Sequence, residues 1–302
     1  MAEFLKAHFP NSRILLTTRN LSKPLPDWAS NFDVLHMDLC DSVSISNCLF
    51  NRNVDTIIQL AAINEVDCMT NTELAMEING KGTLRLLNLA VEYGVRRFIY
   101  FSTFHVYGDT QDYVISESTL PKPSNHYAIT HRLAEDYVLY YSAYHNIEGL
   151  VFRLSNGFGY PMDININRWT LVFNDFCRQA TTTGRIVLKS SGKQQRDFIT
   201  LTDISRAVYH FLTAANSNGL FNLGGNLTMS ILDVANKVAE IYQKKYETSI
   251  KSIEVSNRKE KPQVPFVYSV EKLLSTGFVH RGDIDHEIIK TLDVCEEFKR
   301  DK

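Results

Sequence analysis

Arg97-Phe-Ile-Tyr-Phe-Ser-Thr-Phe-His-Val-Tyr-Gly108 begins as an apolar run and ends in hydroxyls, aromatic rings and a glycine. Near-continuous apolarity predicts a strand over Arg97–Ser102 that is covered on both faces. The same pattern recurs on either side of it. Upstream are Arg13-Ile-Leu-Leu-Thr-Thr18, Val34-Leu-His-Met37 and Thr56-Ile-Ile-Gln-Leu-Ala-Ala62, and downstream is Gly149-Leu-Val-Phe-Arg-Leu154. Leu84, Leu87, Leu89 and Ala90 give an apolar helix face that stops near Gly94, and a second helix is expected from Tyr127 to Tyr144. Buried strands alternating with helices predict an α/β protein with a doubly wound parallel sheet. From Trp169 onward the pattern loosens. The expected division is 1–168 for the sheet domain and 169–302 for a smaller C-terminal lobe, with some segments of the lobe returning to the main sheet. Arg258-Lys-Glu-Lys-Pro262 reads as a solvated loop.

Composition narrows the function classes. The chain has 302 residues, 44% of them hydrophobic and 22% charged, enough to bury a large core. A net charge of −2 gives no electrostatic case for nucleic acid or an anionic membrane as partner. The longest apolar stretches are strand-sized, and no basic region followed by an apolar run marks a secretory signal. Cys40, Cys48, Cys68, Cys177 and Cys295 are odd in number and form no C-x-x-C pair, so reduced structural thiols in a cytoplasmic protein are expected. No metal site is expected.

Six short stretches carry the chemistry. They are Asn79-Gly-Lys-Gly-Thr83, Phe101-Ser-Thr-Phe-His-Val-Tyr-Gly108, Tyr127-Ala-Ile-Thr-His131, Arg153-Leu-Ser-Asn156, Arg196-Asp-Phe198 ahead of Asp203, and Phe221-Asn-Leu-Gly-Gly225. In order and spacing they resemble the extended short-chain dehydrogenases/reductases, specifically the NAD-dependent epimerase/dehydratase family that acts on nucleotide sugars. The resemblance covers nearly the whole chain and implies a Rossmann-like sheet with a C-terminal substrate lobe.

It also implies roles for particular residues. Tyr127 is the acid/base that moves the proton of a sugar hydroxyl while hydride passes to or from a nicotinamide, and Thr103 orients the substrate. An unperturbed tyrosine pKa of about 10 is too high for this near neutrality. The family lowers it with a lysine four residues on, which also holds the nicotinamide ribose; here that position is His131. Asp38 and Leu39 correspond to the adenine contact, Leu60, Ala61 and Ala62 to the strand end beside the cofactor, and Asn79 and Ser102 to further cofactor positions. Asn156 and Arg196 correspond to contacts with the nucleotide diphosphate. Arg19 stands where NAD-specific members place an acid; a cation there suits a 2′-phosphate and favours NADP over NAD. The family's 4,6-dehydratases follow the threonine with Asp-Glu. Phe104-His105 offers no carboxylate, so the expectation is an epimerase or reductase. Family members often pair through the helices beginning near Asn79 and Tyr127, so a homodimer is expected.

Two departures qualify the resemblance. His131 replaces the lysine, and no glycine occurs before Gly80, whereas the family cradles the cofactor pyrophosphate on a glycine-rich turn after its first strand. The chain reads as though it starts inside the family's first helix, with Met1 as an internal methionine of a longer protein. The alternatives are a catalytically silent binding or regulatory protein of the same fold, or an inactive truncated fragment.

Overall fold

The computed structural model describes residues 1–166, 168–214, 218–256 and 265–300. The Arg258–Pro262 loop lies outside the described residues. Contacts divide the chain into two units, Ala2–Leu154 with Tyr209–Asn222, and Ser155–Val208 with Leu223–Lys302.

The first unit runs α1 (Ala2–His8), β1 (Leu15–Thr18), β2 (Asp33–His36), α2 (Ser42–Leu49), β3 (Thr56–Gln59), α3 (Glu65–Thr70), α4 (Thr72–Ala75), α5 (Thr83–Glu92), β4 (Arg97–Thr103), β5 (Val114–Ile115), α6 (His126–Tyr144) and β6 (Glu148–Leu154). Its larger sheet has the order Gly219–Leu223, β6, β4, β3. β3 and β4 are parallel with Thr56 opposite Arg97, and β4 and β6 are parallel with Ser102 opposite Arg153. A parallel pair cannot close by a tight hairpin, and the helices α5 and α6 make the crossovers. They bury Leu86, Leu87, Ala90, Ala134, Val138 and Tyr141 against Phe98, Tyr100 and Val151. The α/β class and doubly wound parallel plan read from the sequence are therefore present.

β1 and β2 form a separate parallel pair with Leu15 opposite Asp33. The family resemblance expects one further strand between β1 and β3. Among the described residues each of these two pairs on one side only. The consequence is visible in burial. Phe98 and Ile99 of the central β4 are 0% exposed, while Leu15, Leu16, Ile57 and Ile58 remain partly exposed.

The second unit comprises β7 (Asn156–Phe158), α7 (Val172–Thr183), β8 (Arg185–Val187), β9 (Gln195–Thr200), α8 (Leu201–Thr213, of which Tyr209–Thr213 falls in the first unit), β10 (the Gly219–Leu223 strand, of which Leu223 falls here), β11 (Thr228–Ser230), α9 (Ile231–Tyr246), β12 (Ser252–Glu254), β13 (Val267–Tyr268), α10 (Glu271–Leu274), α11 (Ile284–Cys295) and α12 (Glu297–Arg300). β7 pairs parallel to β9, and β11 antiparallel to β9. Phe158 stacks on Phe173 at 4.1 Å and heads a core with Phe198, Val234 and Leu292. All five cysteines are free and only Cys40 is exposed. No described helix is long and apolar enough to cross a membrane.

Candidate active site

The site is assembled where the buried strand β4 runs out of apolar residues. Its side chains alternate, so Tyr100 and Ser102 face one side and Phe101 and Thr103 the other. Beyond Thr103 the chain tightens into a 3₁₀ turn, Phe104–Tyr107, capped by Thr103 Oγ1 accepting from the His105 amide at 3.2 Å. Gly108 closes the turn at φ 62, where a side chain would be strained, and an added Cβ would lie 1.9 Å from the Lys122 carbonyl oxygen. Gly108→Ala is expected to lower unfolding free energy by about 2–4 kcal/mol, the sum of a forbidden backbone conformation and an overpacked contact. Urea titration measures this; a loss within error of zero would mean the turn is loosely held.

Helix α6 lies against β4 and is capped by Asn125, whose Oδ1 accepts from the Ala128 amide at 2.8 Å. Tyr127, His131 and Glu135 are successive i, i+4 positions and share one face. The ring centroids of Tyr127 and His131 are 4.4 Å apart with planes at 65°, and His105 flanks Tyr127 at 6.0 Å. His131 is 2% exposed. Its Nδ1 lies 2.7 Å from the Tyr100 hydroxyl, and its Nε2 is buried with no hydrogen-bond partner among the described residues. Burial, aided by the neighbouring His105, pushes the imidazole pKa down to about 3, so the ring is neutral in the physiological range. Tyr100 is fully buried, and desolvation, with the charges of Tyr127 and Glu135, holds its phenol well above the ordinary value.

One turn further on, Glu135 is 0% exposed and accepts from Ser102 Oγ at 2.6 Å and from Arg153 at 2.7 Å. Register explains the meeting, since Ser102 and Arg153 are direct neighbours on β4 and β6. Arg153 also lies over the Tyr107 ring at 4.7 Å, and the Tyr107 hydroxyl donates to Asn222 Oδ1 at 2.6 Å. Burial opposes the Arg153 charge, yet the Glu135 hydrogen bonds and charge hold its pKa above the ordinary value.

The neutral state of His131 has a thermodynamic signature. Between pH 6.5 and 3 the unfolded chain binds a proton there that the folded chain refuses, so stability falls as pH drops through that window. The slope is about 1.4 kcal/mol per pH unit, so from pH 7 to pH 5 this residue removes about 2 kcal/mol. Asp197 in the second unit acts oppositely. Burial pushes its carboxyl up to about 6 against the opposing Leu227 and Gly225 amide hydrogen bonds, so it costs stability as pH rises. The expected result is therefore a difference. Chemical denaturation at pH 7 and pH 5 should show the wild type losing about 2 kcal/mol more than His131→Gln does, the Asp197 contribution being common to both. Equal losses in both would mean the imidazole titrates normally.

The remaining positions singled out by sequence are placed as follows. Arg19 is exposed in the loop after β1. Asp38 follows β2 half-buried, its Oδ1 accepting from the Cys40 amide at 2.9 Å, and Leu39 is buried. Leu60 is 58% exposed after β3, with Ala61 exposed and Ala62 half-buried. Asn79 is 0% exposed and engages protein groups at both ends: Oδ1 accepts from the Ile63 amide at 2.9 Å and Nδ2 donates to Thr130 Oγ1 at 3.1 Å. In the second unit Asn156 donates to the Asp197 carbonyl at 2.9 Å, and Arg196 reaches Gln194 at 3.0 Å. The Asp197 carboxylate accepts from the Gly225 and Leu227 amides, and Asp203 accepts from those of Arg281 and Gly282. The structure thus joins Ser102, Tyr127 and His131 in one cluster with Tyr100, Glu135 and Arg153, which sequence reasoning did not single out.

The chain belongs to the NAD dependent epimerase/dehydratase family, whose model matches residues 4–224. The mouse dTDP-D-glucose 4,6-dehydratase is 27% identical over 269 residues, spanning 87% of this chain and 74% of that protein. The human dTDP-D-glucose 4,6-dehydratase is 27% identical over 215 residues, 70% of this chain and 59% of the human one. Among solved structures, UDP-glucose 4-epimerase from Thermotoga maritima with UDP-glucose superposes with a TM-score of 0.83 at 18% identity, covering 100% of this chain and 96% of that one. RMD from Pseudomonas aeruginosa, complexed with NADPH, gives 0.78 at 21% identity over 95% of this chain and 100% of that one.

A family of this kind implies a nicotinamide dinucleotide. The nicotinamide end fits the residues present, because the unpartnered buried Nε2 of His131 stands beside Tyr127.

Proposed function

We propose that this chain carries the proton-transfer and substrate-orienting machinery of an NAD(P)-dependent nucleotide-sugar epimerase or reductase. The observation that carries the reading is Tyr127 on the first turn of α6, packed on His131. Tyr127 takes or gives the proton of a sugar hydroxyl. Thr103 holds that hydroxyl in line, and Asn156 and Arg196 grip the nucleotide diphosphate by hydrogen bonding and charge. A bound nicotinamide supplies the hydride acceptor or donor. His131 serves the ribose through a neutral hydrogen bond, with Ser102, Asn79, Asp38, Leu39 and Leu60–Ala62 along the dinucleotide. Arg19, exposed after β1, supports NADP. Although the mouse and human relatives are 4,6-dehydratases, Phe104-His105 provides no carboxylate pair, which supports epimerisation or carbonyl/alcohol redox chemistry instead. Ile129, Tyr140 and Tyr144, exposed on α6 at 42%, 52% and 75%, support a homodimer through that helix. The reading places the protein in the cytoplasm.

The test is incubation of the chain with UDP- and dTDP-hexoses and either dinucleotide, followed by NMR of the sugar. Conversion at C4, or reduction of a 4-keto sugar, supports the reading; unchanged sugars with every combination would overturn it. One observation favours a second reading. A neutral His131 cannot lend Tyr127 the positive charge a lysine would, so a silent nucleotide-sugar-binding protein predicts saturable binding without turnover, including in His131→Lys.

A further inference from the structure

We propose that Tyr100 is a positioning residue that fixes His131 in the Nε2–H tautomer, so that the site presents a neutral N–H donor beside Tyr127. Tyr100 and His131 are 1% and 2% exposed, and one hydrogen bond of 2.7 Å joins the phenol oxygen to Nδ1. Two arrangements of its proton are available. If the phenol donates to Nδ1, the ring proton sits on Nε2 and a single polar group, that N–H, is left to be satisfied. If Nδ1–H donates to the phenol oxygen, the phenol O–H and the bare Nε2 are both left over in a dry interior. Leaving one buried group unsatisfied is better than leaving two, and the difference corresponds to a tautomer ratio of at least about fivefold.

The chemistry of the position then changes in kind. A lysine at residue 131 would be a donor only, and the Nε2–H tautomer is also a donor at that nitrogen. Tyr100 and His131 together thus reproduce the direction of the hydrogen bond without its charge. This role rests on the proposed function; the tautomer does not, and the two are tested separately. A dinucleotide ribose hydroxyl or the Tyr127 oxygen is the kind of acceptor the N–H would serve.

The experiment is ¹⁵N NMR of the histidine-labelled full chain, with the His131 signals identified by their absence in His131→Gln. The expected spectrum shows a pyrrole-like Nε2 and a pyridine-like, hydrogen-bonded Nδ1, with at least about fivefold excess over the other tautomer. In Tyr100→Phe the Nδ1 resonance should move to its unbonded position. A protonated Nδ1 in the wild type overturns the proposal, and so does an Nδ1 shift that ignores the loss of the Tyr100 hydroxyl. If Tyr100→Phe does not fold, the wild-type spectrum alone decides. Nucleotide-sugar turnover is not needed for either outcome, so a chain with the expected tautomer and no turnover would refute the functional reading and leave this one standing.

Discussion

Tyr127→Phe is expected to lower kcat for nucleotide-sugar conversion by about 10²–10⁴-fold, the usual worth of a positioned acid or base. The substitution removes one oxygen and keeps the ring, so its packing on His131 at 4.4 Å and on His105 at 6.0 Å survives. KM should therefore stay within a few-fold while kcat collapses, the pattern of an interaction made chiefly in the transition state. Tyr127 is half-buried at the start of α6, whose cap comes from Asn125, so the melting temperature should hardly move. Steady-state kinetics of the two proteins with NAD and with NADP make the comparison. Turnover that survives the change would transfer the proton chemistry to another group, and His105 would be examined first.

The second large effect concerns stability. Glu135→Ala should cost about 3–5 kcal/mol, because it strands the Arg153 guanidinium in the interior without its counter-charge. Glu135 is 0% and Arg153 1% exposed, so water cannot replace the lost partner. Replacing both residues together, Glu135→Leu with Arg153→Met, should recover most of the loss, since a well-packed apolar pair avoids desolvating two charges. Guanidinium denaturation of the single and double variants measures the cycle. A single variant within about 1 kcal/mol of the wild type would mean that the pair is hydrated in solution. Ser102 ties this ion pair to the strand that ends in Thr103, so the double variant should fold well and still lose catalytic alignment.

The parts of this molecule legible in the sequence are those written in local pattern. The apolar runs at Arg97, Thr56 and Gly149 became β4, β3 and β6 because strands covered on both faces need apolar side chains on both faces. The Thr56–Ala62 run stopped as a strand at Gln59, where the side chain turns to donate to Thr83. Helix α6 began one residue before Tyr127, on an Asn125 cap that polar spacing alone does not single out. Less legible were the contacts that depend on register between distant strands. Arg153 stood in plain view as a charge inside an apolar strand, and Glu135 continued the 127, 131 helix face. Their meeting with Ser102 required knowing that β4 and β6 pair directly. Tyr100 reads in sequence as one more core aromatic, and only its 2.7 Å contact with His131 separates it from the others.

The thin pairing of β1 with β2 bears on how the chain breathes. Neither strand contains a fully buried residue, and their ladder joins no other described strand. Protection of backbone amides from exchange follows burial and ladder continuity. The region that carries Arg19 and Asp38 is therefore expected to open first, and the β4–α6 wall carrying Tyr127 and His131 to exchange last. A ligand touching both would then be expected to slow amide exchange in the β1–β2 pair more than in the β4–α6 wall.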